Sequence, residues 1–436
     1  MPNLPLRGLV CAFLTLNVCV LSACAETPNQ SVAPSETLPA TTLPLRSEAA
    51  PVPPSAVAPA VLNFDEWREQ LRVEALAAGI SAAVFDRAFA SISLDPKVLA
   101  ADSSQPEFTR PVWEYLDSAL SANRVARGQG ALLQQKASLD AIVQRFGVPA
   151  ETLVAIWGME SNYGENIGSN SVIRSLATLA FEGRRQPFWR SQLLAALQIL
   201  EQGDVSQERL IGSWAGAMGQ TQFMPTTYQD HAVDFDGDGK RDLWQSAPDA
   251  LASAAHYLQV SGWQPGLPWG FEVSLKKGFD YALADPDTRL TLAEWNALGV
   301  QATGGVPAPA LNTERATLLL PAGHRGPAFL VLNNFRAILK YNNSTAYALA
   351  IGVLSDTLKG GTGVQGSWPR EDRQLGRSER VELQELLAQH GYAPGAADGI
   401  IGANTRKAVR SLQLSLGLPP DGYPTPELLE KLRESR

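Results

Sequence analysis

The chain has 436 residues, of which 45% are hydrophobic and 18% charged, and its formal net charge is -8. At a prior of about 150 residues per domain it is too long for a single domain and apolar enough to pack two or three. An acidic balance without a lysine or arginine cluster excludes a nucleic-acid partner, because gripping a phosphate backbone requires a basic face.

The N-terminus reads as an export signal. Arg7 supplies a positive charge, and residues 8–20 form an apolar run too short to span a bilayer comfortably, ending in Leu21-Ser22-Ala23-Cys24. That tetrad resembles the lipobox of bacterial lipoproteins, which implies cleavage before Cys24 and a diacylglycerol on its thiol. The residues alone also fit an ordinary secretory signal with a cysteine near its cleavage point. Cys11 and Cys19 fall in the discarded segment, so the third cysteine, Cys24, is the only one to survive, and the lipid leaves no thiol for a disulfide or a metal. Ala25, where an aspartate is absent, points through the same resemblance to an outer-membrane anchor and a periplasmic protein. The signal is therefore placed at 1–23. Residues 24–62, rich in Pro, Ala, Ser and Thr, cannot bury enough apolar surface to fold and are expected to form a tether.

Helices are expected to dominate beyond the tether. Phe64, Trp67, Leu71 and Leu76 follow helical spacing, and alanine-rich amphipathic stretches recur at 132–146, 192–200 and 249–260. Strand candidates are fewer, with 271–275, 316–321 and 328–332 the best. The turn-rich interval 262–326 predicts a small, partly β insertion. A Gly/Ser-rich break at 359–367 then sets off a C-terminal unit of about sixty residues, enough for a small helical module.

The chemistry is concentrated in Val148-Pro-Ala-Glu-Thr-Leu-Val-Ala-Ile-Trp-Gly-Met-Glu160-Ser-Asn-Tyr-Gly164. Pro149 suits a first helical turn. Leu153, Ile156, Trp157 and Glu160 share one helical face, which places a carboxyl group at the end of an apolar stripe. Burial against Trp157 and a position near the helix C-terminus both disfavour its ionised form, as a general acid requires. On spacing alone the same pattern also fits a boundary glutamate whose tip reaches solvent.

Trp157-Gly-Met-Glu160-Ser-Asn-Tyr-Gly164 resembles the catalytic signature of the B-type membrane-bound lytic murein transglycosylases. Ser213-Trp-Ala-Gly-Ala-Met-Gly-Gln-Thr-Gln222-Phe-Met-Pro-Thr-Thr-Tyr228 is similar to that family's second motif, and Lys340-Tyr341-Asn342-Asn-Ser-Thr-Ala-Tyr347-Ala to its third. The resemblance implies a mainly α (α+β) protein: a lysozyme-like helical catalytic domain over 63–358 with the partly β insertion, then a linker over 359–375. It implies Glu160 as the catalytic acid and then base, with Ser213, Gln222, Tyr257, Tyr341, Asn342 and Tyr347 in the substrate cleft. Hydroxyls, amides and aromatic faces suit sugars, although each of these residues taken singly also fits a structural role.

Ordinary glycosidases use two flanking carboxylates. The motifs mark one, and neither Glu165 nor Glu182 has a comparable apolar setting. The family's chemistry fits one carboxyl group and no catalytic cofactor: cleavage of the bond between N-acetylmuramic acid and N-acetylglucosamine in peptidoglycan strands, leaving 1,6-anhydro ends. A muramidase using water, and a non-catalytic peptidoglycan-binding lipoprotein, are the alternatives.

Asp234-Phe-Asp236-Gly-Asp238-Gly-Lys240 places three aspartates at alternate positions before a glycine turn, as in a calcium loop whose seventh position offers the Lys240 carbonyl. Position twelve is Gln245, so the usual glutamate is missing. A solvated Asp/Gly turn has the same composition. The family resemblance implies a variant loop closed by Asp249, one residue out of register, holding a structural calcium ion. A calcium-sensor role is weaker, since sensors pair their loops.

At the C-terminus, the Asp398-Gly399 and Asp421-Gly422 turns and the amphipathic segments around them resemble the small three-helix peptidoglycan-binding domain of wall enzymes, over 376–436. Tyr423-Pro-Thr-Pro426 departs from that pattern, and a generic helical appendage is the alternative.

Overall fold

The computed structural model describes residues 63–103, 110–304 and 309–435. Cys24, the signal and the tether lie outside the described residues. No helix among those described is long and apolar enough to cross a membrane.

The first helix, Phe64–Ala77, opens on a reciprocal cap in which the Glu66 N–H donates to Asn63 Oδ1 at 3.0 Å and the Asn63 N–H to Glu66 Oε2 at 3.1 Å. Trp67, Leu71 and Ala75 face inward at four-residue intervals, and Leu76, expected on that face, is 40% exposed. With helix Ala82–Phe89 it packs on the hairpin of helices Val172–Glu182 and Gln186–Gln202, forming one hydrophobic core.

A second core surrounds helix Ala150–Ser161. The expected continuous helix over 132–146 is instead two, Ala122–Gln134 and Lys136–Phe146, because Gln135 (φ −98°, ψ 14°) leaves the helical region. Gly147, at φ 72°, ends the second in the left-handed conformation that glycine takes most readily. Pro149 is the N-cap of Ala150–Ser161, one position before the first turn. That helix carries no single apolar stripe: Thr152 through Gly158 are all buried, since neighbouring helices, Thr345–Leu358 and Ala247–Val260 among them, enclose it.

The expected β insertion is a five-stranded antiparallel sheet with spatial order Leu290–Thr291, Arg315–Leu319, Ala328–Val331, Gly270–Leu275 and Val300–Ala302. Gly270 pairs with Val331 and Val273 with Ala302. Trp295, fully buried beneath it, donates its indole N–H to the Ala316 carbonyl at 3.0 Å, and its removal to alanine would cost about 3–5 kcal/mol.

Helices Arg377–Gln389, Ala403–Ser415 and Pro426–Glu434 close around a separate core of Leu383, Leu386, Leu387, Val409, Leu412 and Leu429. This module sits against the sheet subdomain. Arg410 donates to Asp285 Oδ2 at 2.8 Å and to the Ala284 carbonyl at 2.9 Å, and Asp421 Oδ2 accepts the His324 backbone N–H at 2.9 Å.

Candidate active site

Glu160 occupies the penultimate position of helix Ala150–Ser161 and is half-buried. Immediately after it the backbone reverses through three left-handed residues, Asn162 (φ 53°), Tyr163 (φ 63°) and Gly164 (φ 84°). Two of these are not glycine, so the turn is held by its surroundings. The Tyr163 hydroxyl donates to the Arg124 carbonyl at 2.7 Å and its ring meets Trp157 edge-on. The ring folds back over Gly158, where an added Cβ would lie 2.6 Å from it. The signature's two inner glycines therefore shape the end of the helix that carries Glu160: Gly158 by leaving room, and Gly164 by taking the turn.

The second motif docks on the first through an amide. Trp157 Nε1 donates to Gln220 Oε1 at 2.9 Å, and Gln220 Nε2 in turn to the Trp244 carbonyl at 3.3 Å. Ser213 Oγ accepts the backbone N–H groups of Ala215 and Ala217, folding its own turn. Gln222, itself at φ 51°, donates to the Ile167 and Gly219 carbonyls. Ser213 and Gln222 thus flank the strand and loop that follow Glu160.

The third motif closes the arrangement. The Tyr347 hydroxyl donates to Glu160 Oε1 at 2.6 Å, and the Tyr341 hydroxyl to the Thr221 carbonyl at 2.7 Å. The Tyr257 hydroxyl donates to the Lys340 carbonyl at 2.6 Å, and its ring contacts both Phe223 and Tyr341. Burial, and then the charge of Glu160, hold the Tyr341 and Tyr347 phenols well above the usual tyrosine range. Both therefore remain neutral donors. Asn342 is exposed at the end of helix Asn333–Tyr341.

The sequence reading passed over Gln220, although it lies in the second motif two residues before Gln222. It also missed Tyr115, on helix Val112–Ala119, which is half-buried against the same core and bears electrostatically on Tyr347. No motif marks Tyr115. Of the two other glutamates weighed, Glu165 is 65% exposed and ion-paired to Arg127 at 2.7 Å, and Glu182 is exposed.

In the aspartate loop, carboxylate oxygens of Asp234, Asp236 and Asp249 all lie within 4.8 Å of one another. Asp249 is fully buried at the start of helix Ala247–Val260. It accepts the backbone N–H groups of Phe235, Asp236 and Asp242, and burial raises its carboxyl above the usual range. Asp238 stands outside this trio, accepting the Lys240 N–H at 2.9 Å. Hard carboxylate oxygens, one of them buried, fit a calcium ion.

A mainly helical body with a small sheet at its side, and a glutamate bridged by a neutral phenol at the end of its central helix, belongs to the lysozyme-like class of enzymes that cut glycan strands. The chain belongs to the transglycosylase SLT domain family, whose model matches residues 63–356, and residues 376–432 match a peptidoglycan binding domain model. It is 30% identical over 281 residues to the membrane-bound lytic murein transglycosylase B of Escherichia coli K12, covering 61% of this chain and 72% of that protein. The crystal structure of SltB3 from Pseudomonas aeruginosa in complex with NAG-anhNAM-pentapeptide superposes with a TM-score of 0.82 at 61% identity, over 85% of this chain and 99% of that one. The Escherichia coli lytic transglycosylase Slt35 in complex with calcium is 28% identical, with a TM-score of 0.58 over 67% of this chain and 92% of that one. The protein is a lytic transglycosylase, a peptidoglycan-cleaving lyase.

Proposed function

We propose that Glu160 alone performs both proton transfers of the reaction. It protonates the glycosidic oxygen between N-acetylmuramic acid and N-acetylglucosamine, and the C1–O bond breaks while the substrate's own N-acetyl group supports the cationic centre. The resulting carboxylate takes the proton of the muramyl 6-hydroxyl, whose oxygen bonds to C1. A 1,6-anhydro ring forms, Glu160 regains its proton, and no water is consumed. Acid and base roles in one residue follow from microscopic economy: the proton given in the first half is returned in the second.

The observation that carries this reading is the 2.6 Å hydrogen bond from Tyr347 to Glu160, which fixes the carboxyl orientation with a donor that keeps its proton. Ser213, Gln222, Tyr257, Tyr341 and Asn342 are assigned to the surrounding cleft. Asp234, Asp236 and Asp249, with Asp238 and the Lys240 carbonyl completing the set, would hold a structural calcium ion, which braces the loop and takes no part in bond cleavage.

The wider organisation follows the same reading: a signal at 1–23, a tether at 24–62, the catalytic domain at 63–358, a linker at 359–375 and a wall-binding module at 376–436. Cys24 would carry the lipid that holds the enzyme to the outer membrane on its periplasmic side, and peptidoglycan strands are its partner. Mass spectrometry of products from purified peptidoglycan tests the mechanism. Anhydro-ended fragments that disappear with Glu160→Gln are expected; reducing ends in their place would make the enzyme a hydrolase.

A further inference from the structure

The C-terminal module builds one turn twice. In the first copy, Gln384 Oε1 accepts the Gly399 N–H at 2.8 Å, its Nε2 donates to the Ile400 carbonyl at 3.0 Å, and Asp398 Oδ1 accepts the Ile400 N–H at 2.8 Å. In the second, Gln413 Oε1 accepts the Gly422 N–H at 2.8 Å, its Nε2 donates to Asp421 Oδ1 at 2.7 Å, and the same Oδ1 accepts the Tyr423 N–H at 2.8 Å. Each glutamine follows an arginine by seven positions, Arg377 and Arg406, and each aspartate precedes the next helix cap by four, Gly402 and Thr425. The glycines are required in both: Gly399 and Gly422 have φ of 79° and 71°.

What differs is the occupant. The second turn is covered by strand Pro321–His324 of the catalytic body. Asp421, 7% exposed, accepts the His324 backbone N–H at 2.9 Å on Oδ2, and the same oxygen lies 2.6 Å from the His324 ring Nδ1. Gly323 lies so close that an added Cβ would be 2.9 Å from Tyr423 Cβ. The occupant is thus a main-chain N–H beside small residues, Ala322 and Gly323, with a nitrogen base attached. In the first turn Asp398 is exposed and Ile400 is 44% exposed, and the place of Arg410, which clamps the second copy to Asp285, is taken by Val381.

We infer that the Asp398-Gly399-Ile400 turn is a peptide-binding site, which takes from outside the molecule what its twin takes from the catalytic body. Its ligand is a short peptide of small residues with an amine, as the peptide stem of the wall provides: a backbone N–H and the amine on the Asp398 carboxylate, and a methyl group against Ile400. The second turn is committed to holding the module in place, and the first is left open. This rests on the wall-cleaving reading above.

Pelleting of the full chain with purified sacculi, and affinity electrophoresis in gels holding soluble glycan strands stripped of their peptides, test it, using Glu160→Gln throughout to prevent digestion. Ile400→Glu should lower retention on intact sacculi about tenfold, leave thermal unfolding unchanged, and have no effect on glycan strands stripped of their peptides. Asp421→Asn should lower the unfolding temperature and keep retention. Equal retention of Ile400→Glu and its parent on intact sacculi overturns the site, and an equal loss on stripped strands overturns its assignment to peptide. Should the protein with Glu160 restored release no anhydro product, the mechanism fails while the retention comparison still decides the site.

Discussion

Tyr347 and Glu160, 187 positions apart, meet through a 2.6 Å hydrogen bond in which the phenol is the donor. The Tyr347 ring is 3% exposed, and its proton is retained because an ionised phenolate would be both desolvated and repelled by the glutamate. Tyr347→Phe keeps the packing and removes the donor. A hydrogen bond to the carboxylate that Glu160 becomes on giving up its proton is worth about 1.5–3 kcal/mol, so the rate of anhydro-product release should fall about ten- to a hundredfold with KM little changed. A parental rate from a folded variant would remove Tyr347 from the machinery.

Two helical glycines should respond to alanine with opposite signs. Replacing a helical glycine gains about 1 kcal/mol where there is space, and an added Cβ at Gly130 meets nothing within 4 Å. At Gly158 the added atom lies 2.6 Å from the Tyr163 ring, which is pinned by its hydroxyl and its φ of 63°. Overpacking there costs about 1–3 kcal/mol. Gly130→Ala should raise the unfolding temperature; Gly158→Ala should lower it and, two residues from Glu160, reduce activity. Thermal denaturation with a product assay checks both.

The three motifs were legible in the sequence because the residues that fix the local backbone lie beside those proposed to line the cleft. Gly164 and Gly219 take turns at positive φ and Gly158 leaves room for the Tyr163 ring, and all three stand inside the same short segments as Glu160 and Gln222. The strands over 270–275 and 328–331 were legible from their apolar, β-branched and aromatic content. The helix break at Gln135 was not, since no glycine or proline marks it. Tyr115 and the docking of Asp421 on His324 were equally silent: each depends on a partner far along the chain, and although the Asp421-Gly422 turn itself is a visible repeat, nothing in it names His324.

Calcium should stabilise the fold through the aspartate loop. An ion that binds only the native state adds about 2.7 kcal/mol when present at a hundred times its Kd. Addition of calcium should therefore raise the unfolding temperature and a chelator should lower it. Asp236→Asn, at an exposed member of the trio, should abolish the difference while leaving the calcium-free stability near parental. Asp249→Ala should destabilise even without calcium, because three backbone N–H groups lose their acceptor. Identical melting with and without the ion would dismiss the site.

Stability should fall steeply in alkali. Tyr228, Tyr341 and Tyr347 all have phenols raised above the ordinary range, chiefly by burial. In the unfolded chain they ionise near pH 10, so above that pH the native state holds protons that the unfolded state has released. Stability is then complete below about pH 10 and declines above it by up to about 1.4 kcal/mol per pH unit for each such phenol. Denaturant titrations between about pH 8 and 11.5 would measure this slope. Tyr228→Phe should make it shallower, although the variant starts from a lower stability because the 2.6 Å bond from its hydroxyl to the Arg241 carbonyl is lost. A slope unchanged by that substitution would mean that Tyr228 titrates as freely in the native protein as in the unfolded chain.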